Sequence, residues 1–274
     1  MIPIMPKRTV FFISDWTGIT AETLGMSLLA HFDGVEFRQV RLPFIDSQDK
    51  ARDALASIAN AQVEDGARPI LVLTLVNPDI RQLFESSGGL CLDLFGTFIQ
   101  PLSTELGTSP TQTVGMSHRA IGSEYLNRID AINYTLSHDD GLTPSSLEKS
   151  DVVLVGVSRS GKTPTCLYLA IQFGVRAANC PLIPEDLDRM ALPGELASYR
   201  GKLFGLTIDP ERLHRIRGER RPDSHYASLE NCRHEVRQAE NLMRREGIPW
   251  LDSTTRSVEE ISTMILQQLK LKGR

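Results

Sequence analysis

Residues 151–170 read DVVLVGVSRSGKTPTCLYLA, and the fold of the second half of the chain turns on them. Val152 to Val155 is a β-branched and aliphatic run of the kind buried on both faces of a parallel sheet. Gly156 to Thr163 spell G-x-x-x-x-G-K-T, and Thr165 to Phe173 have a helical pattern. Strand, glycine turn and helix in that order are the context in which this motif forms a phosphate-binding loop. Its glycines let the backbone of Gly156, Val157, Ser158, Arg159, Ser160 and Gly161 curl with N–H groups inward, and the helix N-terminus adds positive dipole. In such a loop Lys162 reaches the outer phosphates and the Thr163 hydroxyl binds Mg2+. Pro164 suits the first helical turn, where an N–H has no helical partner. The bland alternative is a glycine turn that merely joins strand to helix.

Working outward, His138-Asp139-Asp140-Gly141 is a polar turn shortly before the loop. By composition it is an ordinary solvated turn; beside a nucleotide it can supply a base that takes a proton from an attacking hydroxyl. After the loop's helix, Arg176 to Leu182 reads as a short connection, and Leu203 to Asp209 as a strand ending in a carboxylate. Asp209 either holds Mg2+, directly or through water, or caps the helix that starts at Pro210. Arg212, Arg215, Arg217, Arg220 and Arg221 then cluster, as a solvated face or as a grip on phosphate. Ser224 to Arg245 reads as one amphipathic helix, Ile248 to Asp252 as a short strand, and Ser257 to Leu271 as a helix opened by a Ser257/Glu260 capping box.

The first half alternates in the same way. Strands are expected at Thr9 to Ile13, Glu36 to Phe44 and Pro69 to Val76, with helices at Ala21 to Phe32, Ser47 to Glu64, from Asn77-Pro78, and over Leu90 to Leu106. Ser14, Asp15 and Thr17 either cap the first helix or face a ligand at the end of a strand. Gly107 to Asn127, rich in Gly, Ser, Thr and Pro, reads as a loop. The fold class is therefore α/β: an N-terminal parallel-sheet α/β domain over 1–107, a linker or loop over 108–128, and a phosphate-loop kinase-like α/β domain over 129–274.

Whole-chain properties narrow the function classes. With 274 residues, 41% hydrophobic and 23% charged, the chain has the composition of a soluble globular protein. A net charge of −4 argues against general nucleic-acid binding, and no run is apolar enough to span a membrane. Cys91, Cys166, Cys180 and Cys232 lack metal-like spacing and fit a reducing cytoplasm. A switch GTPase is disfavoured: no Asn-Lys-x-Asp motif occurs, and the Asp-x-x-Gly matches at Asp15 and Asp93 precede the loop. A small-molecule kinase and a nucleotide-binding regulator without chemistry stay open.

Four stretches carry a resemblance: Ser14-Asp15-x-Thr17-Gly18, Ser137-His138-Asp139-Asp140-Gly141, Gly156 to Thr165, and Gly205 to Leu213. With them the chain resembles the family of pyruvate dikinase regulatory proteins from about residue 9 to residue 266. The resemblance implies a bifunctional enzyme. Such an enzyme inactivates a dikinase by phosphorylating a threonine with the β-phosphate of ADP, releasing AMP. It reactivates the target with inorganic phosphate, releasing pyrophosphate. Gly161, where the branch acting on pyruvate, phosphate dikinase tends to carry Ser, points to phosphoenolpyruvate synthase as the protein substrate. On this reading Lys162 stabilises charge on the transferring group, Thr163 and Asp209 serve Mg2+, and Asp140 is the base, with Asp139 as second choice. A homodimer is compatible with it.

Overall fold

The computed structural model describes residues 7–111, 121–139 and 144–271. The chain divides into two compact units, Met1–Arg119 and Ala120–Arg274. In the first, β1 (Lys7–Ser14), α1 (Ile19–Leu29), β2 (Glu36–Leu42), α2 (Gln48–Asp65), β3 (Ile70–Thr74), α3 (Pro78–Glu85), β4 (Leu90–Asp93) and α4 (Leu94–Leu106) follow one another. The strands are all parallel, in the order β2-β1-β3-β4. Successive residues of β1 serve opposite faces, as a pleated strand requires. Val10 and Phe12 pack with Ala21, Leu29 and Leu94; Phe11 and Ile13 pack with Ala51, Ile58, Ile80 and Phe84. Helices thus cover both faces.

The second unit repeats the plan. It contains α5 (Ile121–Ser137), a 3-10 turn (Pro144–Lys149), β5 (Val152–Gly156), α6 (Lys162–Phe173), β6 (Ala177–Pro181) and α7 (Pro184–Arg189). After a 3-10 segment (Gly194–Lys202) come β7 (Leu203–Thr207), α8 (Pro210–Arg220), a 3-10 turn (His225–Ala227), α9 (Leu229–Arg245), β8 (Trp250–Asp252) and α10 (Val258–Gln268). The order β6-β5-β7-β8 is again wholly parallel. Val153 and Val155 of β5 join a core with Leu213, Val236, Ala239 and Leu242, while Val152 and Leu154 join one with Cys166, Leu169, Ile261 and Ile265. The α/β class with parallel sheets read from the sequence is the class observed.

The structure corrects several expectations. Leu90 to Leu106 is not one helix: Leu90–Asp93 is β4, paired with β3, and Asp93 Oδ1 then accepts the Gly96 N–H at 2.9 Å to start α4. Arg176 to Leu182 is not a mere connection, because Ala177–Pro181 is β6, the parallel neighbour of β5. Its Ala-Ala-Asn-Cys run has poor strand propensity, and burial against the sheet overrides it. Residues 121–127, expected as loop, open α5. Ser224 to Arg245 breaks at Ser228, whose Oγ accepts the Asn231 N–H and caps α9. The capping box at Ser257 and Glu260 is formed as expected.

Neither Ser14, Asp15 nor Thr17 caps α1. Gly18 holds that position with φ 77 and makes no side-chain cap bond. Asp15 is buried, and its Oδ2 accepts the Val76 N–H at 2.7 Å. Burial raises its carboxyl above the ordinary 3.8, outweighing the backbone N–H bonds that pull it down. A raised folded-state pKa favours the protonated form, so the stability Asp15 contributes at low pH is lost as pH rises through the raised value. Asp15→Asn keeps an acceptor for Val76 and removes the buried charge. It is expected to raise the melting temperature at pH 7 and leave it nearly unchanged at pH 3, measured by calorimetry at both pH values.

Candidate functional site

In the second unit, β6 and β7 lie on opposite sides of β5, so chain order reverses at its carboxyl end. In open α/β sheets that edge is where ligands sit. The sequence there must turn sharply from a buried strand into α6. Gly156 does so with φ 147, and a Cβ on it would lie 2.1 Å from the Leu206 carbonyl oxygen, so only glycine fits. Arg159 takes φ 74 and Gly161 φ 89, giving the turn alternating hand. Gly161 is the N-cap of α6 and offers no side-chain cap. The helix's first N–H groups, which lack partners within it, therefore present a ready anion site.

Several groups of this turn are held by neighbours. Ser158 Oγ lies 3.0 Å from the Tyr226 hydroxyl. The Ser160 carbonyl accepts from Ser253 Oγ at 2.9 Å, while Ser160 Oγ is buried with no partner among the described residues. Lys162, the first residue of α6, is 4% exposed, and its Nζ donates to the Val157 carbonyl at 2.9 Å. Thr163 Oγ1 donates to Asp139 Oδ1 at 2.8 Å. Together Ser158, Arg159, Gly161, Lys162, Thr163 and Asn179 line much of a polar cleft of about 210 Å3.

The structure brings Gly156 to Thr163 together with Asp139. Asp140 lies outside the described residues. Asp209 sits at the start of α8, where its Oδ1 accepts the N–H groups of Glu211 and Arg212 at 3.0 and 2.9 Å, the capping alternative. The arginine cluster splits. Arg212, Arg215, Arg220 and Arg221 are exposed, whereas Arg217 is fully buried. Arg217 Nη2 donates to Glu235 Oε2 at 2.7 Å and to the Ser158 carbonyl at 3.1 Å, and Nη1 donates to the Tyr226 carbonyl at 3.0 Å. Its guanidinium also stacks 4.1 Å from the Tyr226 ring centre. Arg217 therefore braces the loop from behind. Two of the cysteines lie close by, and burial lifts the Cys180 thiol to about 12 and that of Cys166 higher still, so both are protonated packing groups.

Asn179 sits in no motif that marks it in the sequence. It stands on β6 opposite Leu154, is 3% exposed, and its Nδ2 donates to Asp139 Oδ1 at 2.7 Å and to Thr163 Oγ1 at 2.9 Å. The available signal was an amide inside a run of small buried residues, since a buried polar group needs partners.

Fold and cleft together define an α/β protein with a lysine-bearing polar cleft at the switch point of a parallel sheet. The chain belongs to the kinase/pyrophosphorylase family, whose model matches residues 10–266. It is thus a member of a family of phosphotransferase-type enzymes. A relative from Methylobacillus flagellatus is 60% identical over 269 residues, covering 98% of this chain and 99% of its own. One from Azoarcus sp. is 61% identical over 97% of each chain, and one from Bordetella pertussis 56% identical over 97% of each. All three bear the name "Putative phosphoenolpyruvate synthase regulatory protein". Among the described residues no helix is long and apolar enough to cross a membrane.

Proposed function

We propose that this chain is a bifunctional regulator of phosphoenolpyruvate synthase acting in the cytoplasm. It phosphorylates a threonine of that enzyme with ADP and removes the phosphoryl group again with inorganic phosphate. The observation that carries this reading is the size and chemistry of the cleft. At about 210 Å3 it is smaller than the roughly 300–1,000 Å3 of pockets that enclose a whole small ligand. It matches a diphosphate gripped by backbone N–H groups and Lys162, with the nucleoside outside. A diphosphate is the group common to both reactions: the tail of ADP in one, pyrophosphate in the other.

In the forward direction the threonine hydroxyl attacks the β-phosphorus of ADP. The bond to the α-phosphate oxygen breaks, AMP leaves, and the hydroxyl proton passes to a base. In the return direction an oxygen of inorganic phosphate attacks the phosphothreonine phosphorus. The bond to the threonine oxygen breaks, that oxygen takes back a proton, and pyrophosphate is released. Lys162 stabilises the charge spread over the transferring group in both. The turn at 139–140 supplies the base, and we assign that role to Asp140, because Asp139 Oδ1 is engaged by Thr163 and Asn179. Asp140→Asn is expected to leave ADP affinity within about twofold and slow kinase turnover by roughly 10²–10⁴-fold. Steady-state kinetics beside calorimetric ADP titration checks it, and unchanged turnover returns Asp140 to an ordinary turn.

The donor set also fits Mg2+, a hard cation that takes oxygen ligands and keeps substrate phosphates among them. Thr163 Oγ1, with Asp139 beside it, would hold the ion, which when bound neutralises phosphate charge. Asp209, committed to its cap, is the weaker partner. The names of the relatives support phosphoenolpyruvate synthase as the target. The test is to incubate the chain with phosphoenolpyruvate synthase, ADP and Mg2+ and look for AMP and phosphothreonine by mass spectrometry. Failure to modify the target with any adenine nucleotide would defeat the proposal.

A further inference from the structure

The geometry points to Asn179 as a positioning residue that holds Thr163 and Asp139 ready for the metal–diphosphate complex, an inference that rests on the reading just given. An ionised carboxylate only accepts hydrogen bonds, so the amide nitrogen of Asn179 must be what faces Asp139. Among the described residues it donates to Asp139 Oδ1 at 2.7 Å and to Thr163 Oγ1 at 2.9 Å. The Thr163 hydroxyl gives its own hydrogen to Asp139 Oδ1. A hydroxyl has one donor and two acceptor lone pairs. With the donor on Asp139 and one lone pair taken by Asn179, one lone pair remains on an oxygen that lines the cleft.

Asn179 also fixes the turn itself. Its backbone N–H donates to the His138 carbonyl at 3.1 Å, and its side chain grips the next residue, Asp139. The anchor is rigid, because Asn179 pairs with Leu154 in the centre of β5, one of the best-buried strands. One residue therefore ties together the acidic turn, the metal-binding hydroxyl and the strand that feeds the loop. Groups placed in this way behind a ligand typically contribute 10–100-fold to metal affinity or activity.

The test measures ADP affinity by calorimetry with and without Mg2+ for wild type and Asn179→Ala, beside kinase turnover and melting temperature. The expected result is metal-free ADP affinity within about twofold of wild type. The gain in affinity on adding Mg2+ should fall about tenfold or more, and kcat should fall without a matching rise in KM for the target. Combining Asn179→Ala with Asp139→Ala should cost little beyond the larger single loss, as expected of residues acting as a unit. Should the Ala variant fail to fold, Asn179→Leu keeps the branched shape without the donors and carries the same readings. A folded variant with the wild-type Mg2+ gain and turnover overturns the inference, as does a wild-type ADP affinity that Mg2+ leaves unchanged. A wild type that binds ADP and Mg2+ but phosphorylates nothing defeats the reading of function instead, and leaves Asn179 to be judged on the binding data.

Discussion

Lys162→Ala is expected to remove both activities together, lowering kcat at least 10²–10³-fold in the kinase and the phosphorolysis direction alike. The side chain is nearly buried at the first position of α6, and its ammonium reaches back to the Val157 carbonyl across the turn. Among the described residues no other lysine lines the cleft. A charged hydrogen bond to phosphate contributes about 1.5–3 kcal/mol, and the transferring group presents several oxygens at once. ADP binding should weaken in parallel, because ADP and pyrophosphate present the same group to the same lysine. Parallel assays of AMP release and pyrophosphate release give the answer. If either reaction keeps wild-type turnover, Lys162 has no part in it.

The largest effect on stability is expected at Arg217. Removing one partner of a buried ion pair leaves the other uncompensated and costs roughly 3–5 kcal/mol. Arg217→Ala strips Glu235 of its cation and leaves the carbonyls of Ser158 and Tyr226 without this donor. Asn231 Nδ2 still donates to Glu235 Oε1 at 2.7 Å, so the carboxylate retains one bond. For a unit of this size the loss amounts to a fall in melting temperature on the order of 10 °C. Arg217→Met with Glu235→Leu should recover most of that stability, because apolar replacements of a buried pair are often neutral. On the proposed function the double variant should still bind ADP less tightly, for the 156–163 turn loses its brace at Ser158. A fall of less than about 1 kcal/mol for Arg217→Ala in chemical denaturation would mean that water replaces the pair.

Much of this was legible in the amino-acid order, and the reason is physical. Val152 to Val155 and Pro69 to Val76 are aliphatic runs too short for helices, and burial on both faces leaves the parallel-strand reading as the simple one. Gly156 and Gly161 mark the turn because their backbone angles suit few other residues. Strand β6 was not legible. Alanine, asparagine and cysteine carry no strand preference, and only the space beside β5 makes Ala177–Pro181 extended. Asn179 was hidden with it, since its role depends on a contact with Asp139, 40 residues earlier. Arg217 failed for the opposite reason. Its four arginine neighbours Arg212, Arg215, Arg220 and Arg221 made a solvated or phosphate-gripping face the natural reading, while the helix turns this one inward to Glu235.

The central claim is that one diphosphate cleft serves both reactions. Calorimetric titration of ADP into the Mg2+-loaded wild-type chain at increasing pyrophosphate concentrations tests it most directly. The expected result is a single site whose apparent ADP affinity falls in proportion to the pyrophosphate added, with the competition lost in Lys162→Ala. An ADP affinity indifferent to saturating pyrophosphate would place the two diphosphates in different sites and contradict the claim.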